Sequence, residues 1–155
     1  GPVDRVVTSP LARARQTAAA LGVPVEVDER WIELDYGDLE GVPVGEVPAA
    51  TWSAWQRDPG FRPPLGETLV EVRARVEAAL AELRADAEQG TVVVVSHVSP
   101  IKAAVGWALG VGDEVGWRLY LAPASITRIA VGPRGPALHT FNEVTHLQGV
   151  AGPGT

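Results

Sequence analysis

Three side chains in this sequence are placed where they could bind an oxyanion and move a proton to it. Arg13 closely follows the β-branched run that ends in Thr8-Ser9, His97 ends the run TVVVVS, and Glu33 sits among Trp31, Ile32 and Leu34. The first two share a design. In RVVTSPLAR (5–13) and VVVVSHVSPIK (92–102), an apolar run ends in polar residues and turns through a Ser-Pro pair toward a helix. A helix start offers free N–H groups and the positive end of its dipole, so it favours anions. Arg13, in the first turn of the first such helix, can reach back over the same edge. A carboxyl group among apolar neighbours is pushed toward its protonated form, which suits proton transfer to and from oxygen. Each feature also has a plainer reading. Ser-Pro is a common helix start, a lone histidine after a strand is often scaffold, one arginine among twelve often serves a surface ion pair, and Glu33 on these residues alone reads rather as an ordinary loop carboxylate.

Other chemistries find less support. His139 and His146 match no metal-ligand spacing, and no cysteine is present, so neither a metal nor a cofactor is expected. The chain has no G-x-S-x-G elbow and no phosphate-cradling P-loop, which excludes the usual serine hydrolase and nucleoside triphosphatase designs.

These residues need a scaffold that brings strand ends together. Residues 3–9 and 25–28 read as strands, with a helix between them that starts at Ser9-Pro10 and ends at Gly22. Residues 29–66 are rich in glycine and proline and hold three tryptophans, so a long functional excursion with one helix near 48–57 is expected. Thr68-Leu-Val-Glu71 is a capping box, and Leu69, Val72, Val76, Leu80, Leu83 and Ala87 form an apolar stripe up to Gly90. Thr91–Ser96 lacks alternation, as a central parallel strand would. A helix runs from Ser99-Pro100 to Leu109, and strands are expected over 118–121, 125–131 and 137–141, the last two joined by a turn at 132–136. The alternation gives an α/β fold with a mostly parallel sheet, helices on both faces, and the strand ends on one edge. Residues 1–150 read as one domain and 151–155 as a tail.

Composition narrows the partners. The 155 residues are 46% hydrophobic with a net charge of −6, enough apolar material for a core and a poor balance for nucleic-acid binding. No run is long enough to span a membrane, so none is expected, and the absence of cysteine fits a cytoplasmic protein.

The wording of the motifs adds a family. TSPLARARQTA (8–18) resembles the second block of the histidine phosphatase superfamily, whose fold is phosphoglycerate mutase-like. ELDYGDLEG (33–41) resembles its glutamate-bearing loop, Gly66-Glu67-Thr68 its G-E-[ST] helix start, and VVSHVSPIK (94–102) its final catalytic block. The four blocks stand in the family's order over nearly the whole chain. The form SHVSPIK is most similar to the phosphatase domain that follows RNase H in bifunctional RNase H/acid phosphatase proteins. The resemblance implies a metal-independent phosphomonoester hydrolase of the histidine acid phosphatase type that acts on a small phosphorylated substrate. Arg13, His97 and the main chain of Val98 would bind the phosphoryl group. Glu33 would be the acid for the leaving oxygen and then the base for water. It also implies an RNase H-like domain upstream in the same polypeptide and leaves a homodimer open. Phosphoglycerate mutase-like phosphoryl transfer and a non-catalytic ligand- or protein-binding domain are the alternatives.

One departure is large. The family's first strand ends in Arg-His-Gly, whose histidine becomes phosphorylated, and this chain has histidines only at 97, 139 and 146. Its first strand matches the family's second block. The nucleophile is therefore expected upstream of Gly1, on a strand missing from these residues. The chain is then the ordered part of a longer one, a shortened chain whose Gly-Pro start is a cleavage remnant, or a non-catalytic member. The joint presence of Arg13, Glu33 and His97 favours the first two, and these residues alone are expected to be inactive.

Overall fold

A computed structural model of the chain describes residues 1–149. The opening β-branched run forms β1 (Arg5–Thr8), helix α1 (Ala12–Ala19) carries the chain back, and β2 (Val25–Val27) lies parallel to β1. The excursion holds short 3-10 turns and helix α2 (Ala49–Arg57), then leads to the long α3 (Leu69–Gln89). Strand β3 (Val92–Val95) pairs in parallel on the other side of β1, in the order β2-β1-β3, with Val7 opposite Glu26 and Val94. Helix α4 (Val98–Leu109) follows, closed by Gly110 at φ +65°. An antiparallel hairpin of β4 (Ile126–Gly132) and β5 (Gly135–Glu143) completes the described chain. The tail expected over 151–155 lies outside the described residues.

The period-2 geometry of β1 sends Val6 and Val7 to opposite faces, and both are buried. Val7 joins a core with Val72, Val76, Ala79 and Leu83 of α3, Ala104 of α4, and Trp31, Leu34 and Trp55 of the excursion. Helix α3 forms for the reasons its sequence gives. The Glu71 N–H donates to Thr68 Oγ1 at 3.1 Å, the Thr68 N–H donates to Glu71 Oε2 at 2.8 Å, and the apolar stripe turns inward. The tryptophans of the excursion pack with one from beyond α4. Trp52 and Trp55 stack at 5.9 Å, and Trp117 meets both edge-on.

Several local expectations change. The run Val92–Val95 reads as a central strand, yet among the described residues β3 has a partner on one edge only, and all four valines are half-buried. β4 and β5 form a sheet of their own beside α3 and α4. Ser9 is not a helix cap: α1 begins after an extended Leu11, because the Ser9 hydroxyl is engaged across the sheet. Helix α4 likewise starts at Val98, one residue before Ser99, because a carboxylate from another segment takes the N–H groups of its first turn. The strand expected over 118–121 is absent: Asp113–Arg118 winds into a 3-10 turn and no neighbouring strand offers a ladder.

Candidate active site

The carboxyl ends of β1 and β3 bring the two Ser-Pro segments together. The Ser9 N–H donates to the Val95 carbonyl at 2.9 Å, which locks the strand ends in register. Ser9 Oγ accepts from the Leu11 N–H at 3.3 Å and shares a 2.7 Å hydrogen bond with His97 Nε2. Ser9 is fully buried and His97 is 8% exposed. Ser96 turns the other way, donating from its hydroxyl to the Trp31 carbonyl at 2.7 Å, and so ties the end of β3 to the excursion.

Burial holds the His97 imidazole below its ordinary range. The positive charges of Arg13 and Arg75 push the same way, and the Glu33 carboxylate opposes them. Arg13 stands exposed in the first turn of α1.

Glu33 reaches the same helix end from the excursion. Its Oε2 accepts from the Val98 N–H at 3.1 Å, and its Oε1 accepts from the Ser99 N–H at 3.1 Å and the Leu34 N–H at 2.8 Å. Trp31 and Leu34 turn into the core, so the half-buried Glu33 carboxylate stands among N–H donors rather than in the apolar cage its neighbours suggest. Val98, expected as a main-chain donor to phosphate, gives its N–H to Glu33 in this arrangement.

The loop that presents Glu33 is held by Arg75 of α3. Its guanidinium forks onto Glu67, with Nε to Oε1 at 2.8 Å and Nη2 to Oε2 at 3.0 Å. The same group donates to the carbonyls of Arg30 at 2.5 Å and Glu33 at 3.4 Å. Downstream, Gly37 has φ +54°, and a Cβ there would overlap the Pro64 carbonyl oxygen. Glycine is thus required where the Glu33 loop crosses the segment that starts α3.

Of the three residues the sequence marks, the structure brings Glu33 onto the helix end that follows His97 and places Arg13, exposed, in the first turn of α1. The tie from Ser9 to His97 and the role of Arg75 were not visible in the sequence. Both contacts join residues more than forty positions apart, and no spacing rule reports such pairs. Among the described residues, no three His, Cys, Asp or Glu side chains gather as a metal site. No helix among them is long and apolar enough to cross a membrane.

Comparison with known proteins gives this arrangement a context. The model of the histidine phosphatase superfamily, branch 1, matches residues 1–144. The bifunctional protein Rv2228c of Mycobacterium tuberculosis is 37% identical over 134 residues, covering 82% of this chain. The chain spans 37% of that relative's length. Phosphoserine phosphatase 1 of Hydrogenobacter thermophilus is 32% identical over 155 residues, covering 94% of this chain and 72% of that protein. Among solved structures, a phosphoserine phosphatase variant of Entamoeba histolytica in complex with phosphoserine superposes with a TM-score of 0.84. It is 25% identical and covers 93% of this chain and 76% of its own. The mycobacterial glucosyl-3-phosphoglycerate phosphatase Rv2419c, in complex with VO3, gives 0.82 at 27% identity, covering 92% and 78%.

Proposed function

The chain belongs to the histidine phosphatase superfamily, branch 1, and from that premise we propose that it is the phosphatase part of a larger enzyme that hydrolyses small phosphomonoesters without a metal. The observation that carries this reading is the shared helix end. The Glu33 carboxylate is bound to the N–H groups of Val98 and Ser99, immediately after His97, whose ring is tied to Ser9 just ahead of the helix that carries Arg13. Positive charge for the phosphoryl oxygens and a carboxyl group for the leaving oxygen are what phosphoryl transfer asks of a protein.

The nucleophile in this proposal is a histidine preceding Gly1, on a strand that pairs with the open edge of β3. The half-buried Val92–Val95 and the separate β4–β5 sheet support a strand between them. In the first step the histidine nitrogen bonds to phosphorus, the bond from phosphorus to the ester oxygen breaks, and protonated Glu33 gives its proton to that oxygen. Arg13 and His97 carry the charge of the equatorial oxygens. In the second step Glu33 takes a proton from water, the resulting hydroxide attacks phosphorus, the P–N bond breaks, and phosphate leaves. The Val98 N–H joins the phosphate donors when Glu33 shifts toward the leaving group. The likeness to Rv2228c, a protein named as bifunctional, supports a second domain in the same polypeptide, for which an RNase H-like fold is our reading. A cytoplasmic setting and the histidine acid phosphatase type complete the proposal.

Glu33→Gln in the full-length protein tests it. Turnover of an alkyl phosphate, whose leaving oxygen is basic, falls about 10²–10⁴-fold, the usual contribution of a general acid. Turnover of p-nitrophenyl phosphate falls far less, because nitrophenolate leaves without a proton. Equal losses on both substrates contradict the assignment of Glu33 as the acid.

A further inference from the structure

A cavity of about 150 Å³ opens beside the helix end that carries Glu33, lined by Tyr36, Trp52, Trp55, Val98, Ser99, Lys102 and Trp117 among others. Val98 and Ser99 belong to both places: their N–H groups hold Glu33 and their side chains wall the cavity. In the phosphatase reading, the phosphoryl group lies toward Arg13 and His97. The leaving oxygen lies at Glu33. The rest of the alcohol then continues away from the phosphate, into this space. Pockets for drug-sized ligands measure roughly 300–1,000 Å³, so the alcohol half is compact.

Lys102 gives this cavity its charge. It is the only lysine of the chain, and it is half-buried on α4 one turn beyond Val98 and Ser99. Its ammonium donates to the Gly116 carbonyl at 2.8 Å, and no carboxylate among the described residues lies within ion-pair distance of it. An ammonium has three N–H donors, so two remain. The other cation in the wall, Arg73, is already committed to Glu77, Asp113 and the Val111 carbonyl. Asp113, the wall's carboxylate, is held by that same arginine. The indole N–H groups of Trp55 and Trp117, on the cavity wall, are buried without an acceptor. Those indole groups are sealed, so of the two cations in the wall it is Lys102 that stands without a carboxylate within ion-pair distance among the described residues. Burial pulls the Lys102 ammonium below its ordinary range, and the charge of the Glu33 carboxylate opposes that.

Building on the phosphatase reading, we infer that Lys102 is a specificity-determining residue whose ammonium receives an anionic group, a carboxylate, on the alcohol half of a small phosphomonoester. The aromatic wall excludes water from that contact, which strengthens it, and the Gly116 carbonyl keeps the ammonium in place.

The test uses the full-length enzyme and two substrates of nearly equal shape, 3-phosphoglycerate and glycerol 3-phosphate, which differ in a carboxylate against a hydroxymethyl group. The expected result is a wild-type kcat/KM at least tenfold higher for 3-phosphoglycerate. Lys102→Met cuts that preference at least tenfold, mainly through KM, and Lys102→Arg restores part of it. A wild type without the preference, or a folded Lys102→Met variant that keeps it, overturns the inference. Equal losses on both substrates in Lys102→Met also overturn it, and assign Lys102 to holding Gly116. p-Nitrophenyl phosphate separates the two levels. A wild type that hydrolyses it but ignores the carboxylate overturns only this inference, whereas one that hydrolyses none of the three overturns the phosphatase reading as well.

Discussion

At His97, burial and charge act together. The ring is hydrogen-bonded to a fully buried serine, and burial, helped by the positive charges of Arg13 and Arg75, holds it below the ordinary histidine value of 6.5. The folded protein therefore keeps it neutral at pH values where an unfolded chain already binds a proton. Stability rises with pH wherever the unfolded state binds more protons. The His97 contribution is thus complete above about pH 6.5 and is lost as pH falls from there toward the depressed folded value. Urea midpoints of the full-length protein measured from pH 5 to 8 check this. His97→Gln is expected to flatten the wild-type slope between pH 5 and 6.5, and parallel curves for the two proteins would contradict the burial argument. A neutral imidazole also suits the proposed site, because it leaves Arg13 as the fixed cation for an incoming dianion.

At the scale of the elements, the site depends on how the excursion is tied to α3. Arg75 directs a bidentate fork onto Glu67 and donates to the Arg30 and Glu33 carbonyls, and its side chain and that of Glu67 are 17% and 20% exposed. Arg75→Met leaves a largely buried carboxylate and two carbonyls without donors. It should cost about 2–4 kcal/mol of stability, read from denaturant unfolding. Arg75→Lys recovers little of that, because an ammonium supplies a point charge but not the planar fork. Full recovery in Arg75→Lys would show that charge alone holds the loop.

The same element shows how far the sequence could be read. Helix α3 was legible to within a residue, since its cap is local and its stripe has the helical period. β1, β2, α2 and the β4–β5 hairpin were legible for similar reasons. The expected cap at Ser9 failed because its hydroxyl is shared between His97 and the Leu11 N–H ahead of the helix, and the one at Ser99 because Glu33, from far along the chain, takes the first N–H groups of α4. The strand over 118–121 failed because four residues of β propensity do not form a strand without a neighbour to pair with. The family's motifs point to Arg13, Glu33 and His97 as candidates, but Arg75 and Lys102 lie outside the residues to which those motifs assign roles.

For the whole molecule, the edge of β3 left open among the described residues is where the proposed function meets the fold. An unpaired strand edge with half-buried valines is a place for another strand, and a hazard when it is left bare. The proposal fills it with the strand that carries the nucleophilic histidine. The central claim is therefore that turnover passes through a phosphohistidine on a residue preceding Gly1, with Arg13, Glu33 and His97 acting on it. Rapid quenching of the full-length enzyme with phosphorus-labelled substrate, followed by peptide mapping of the label, measures this directly. The account predicts a phosphoenzyme that forms fast enough to carry turnover, is lost in acid and stable in alkali, and maps to a histidine upstream of Gly1. Label on His97, His139 or His146, or steady hydrolysis with no phosphoenzyme at all, would contradict it.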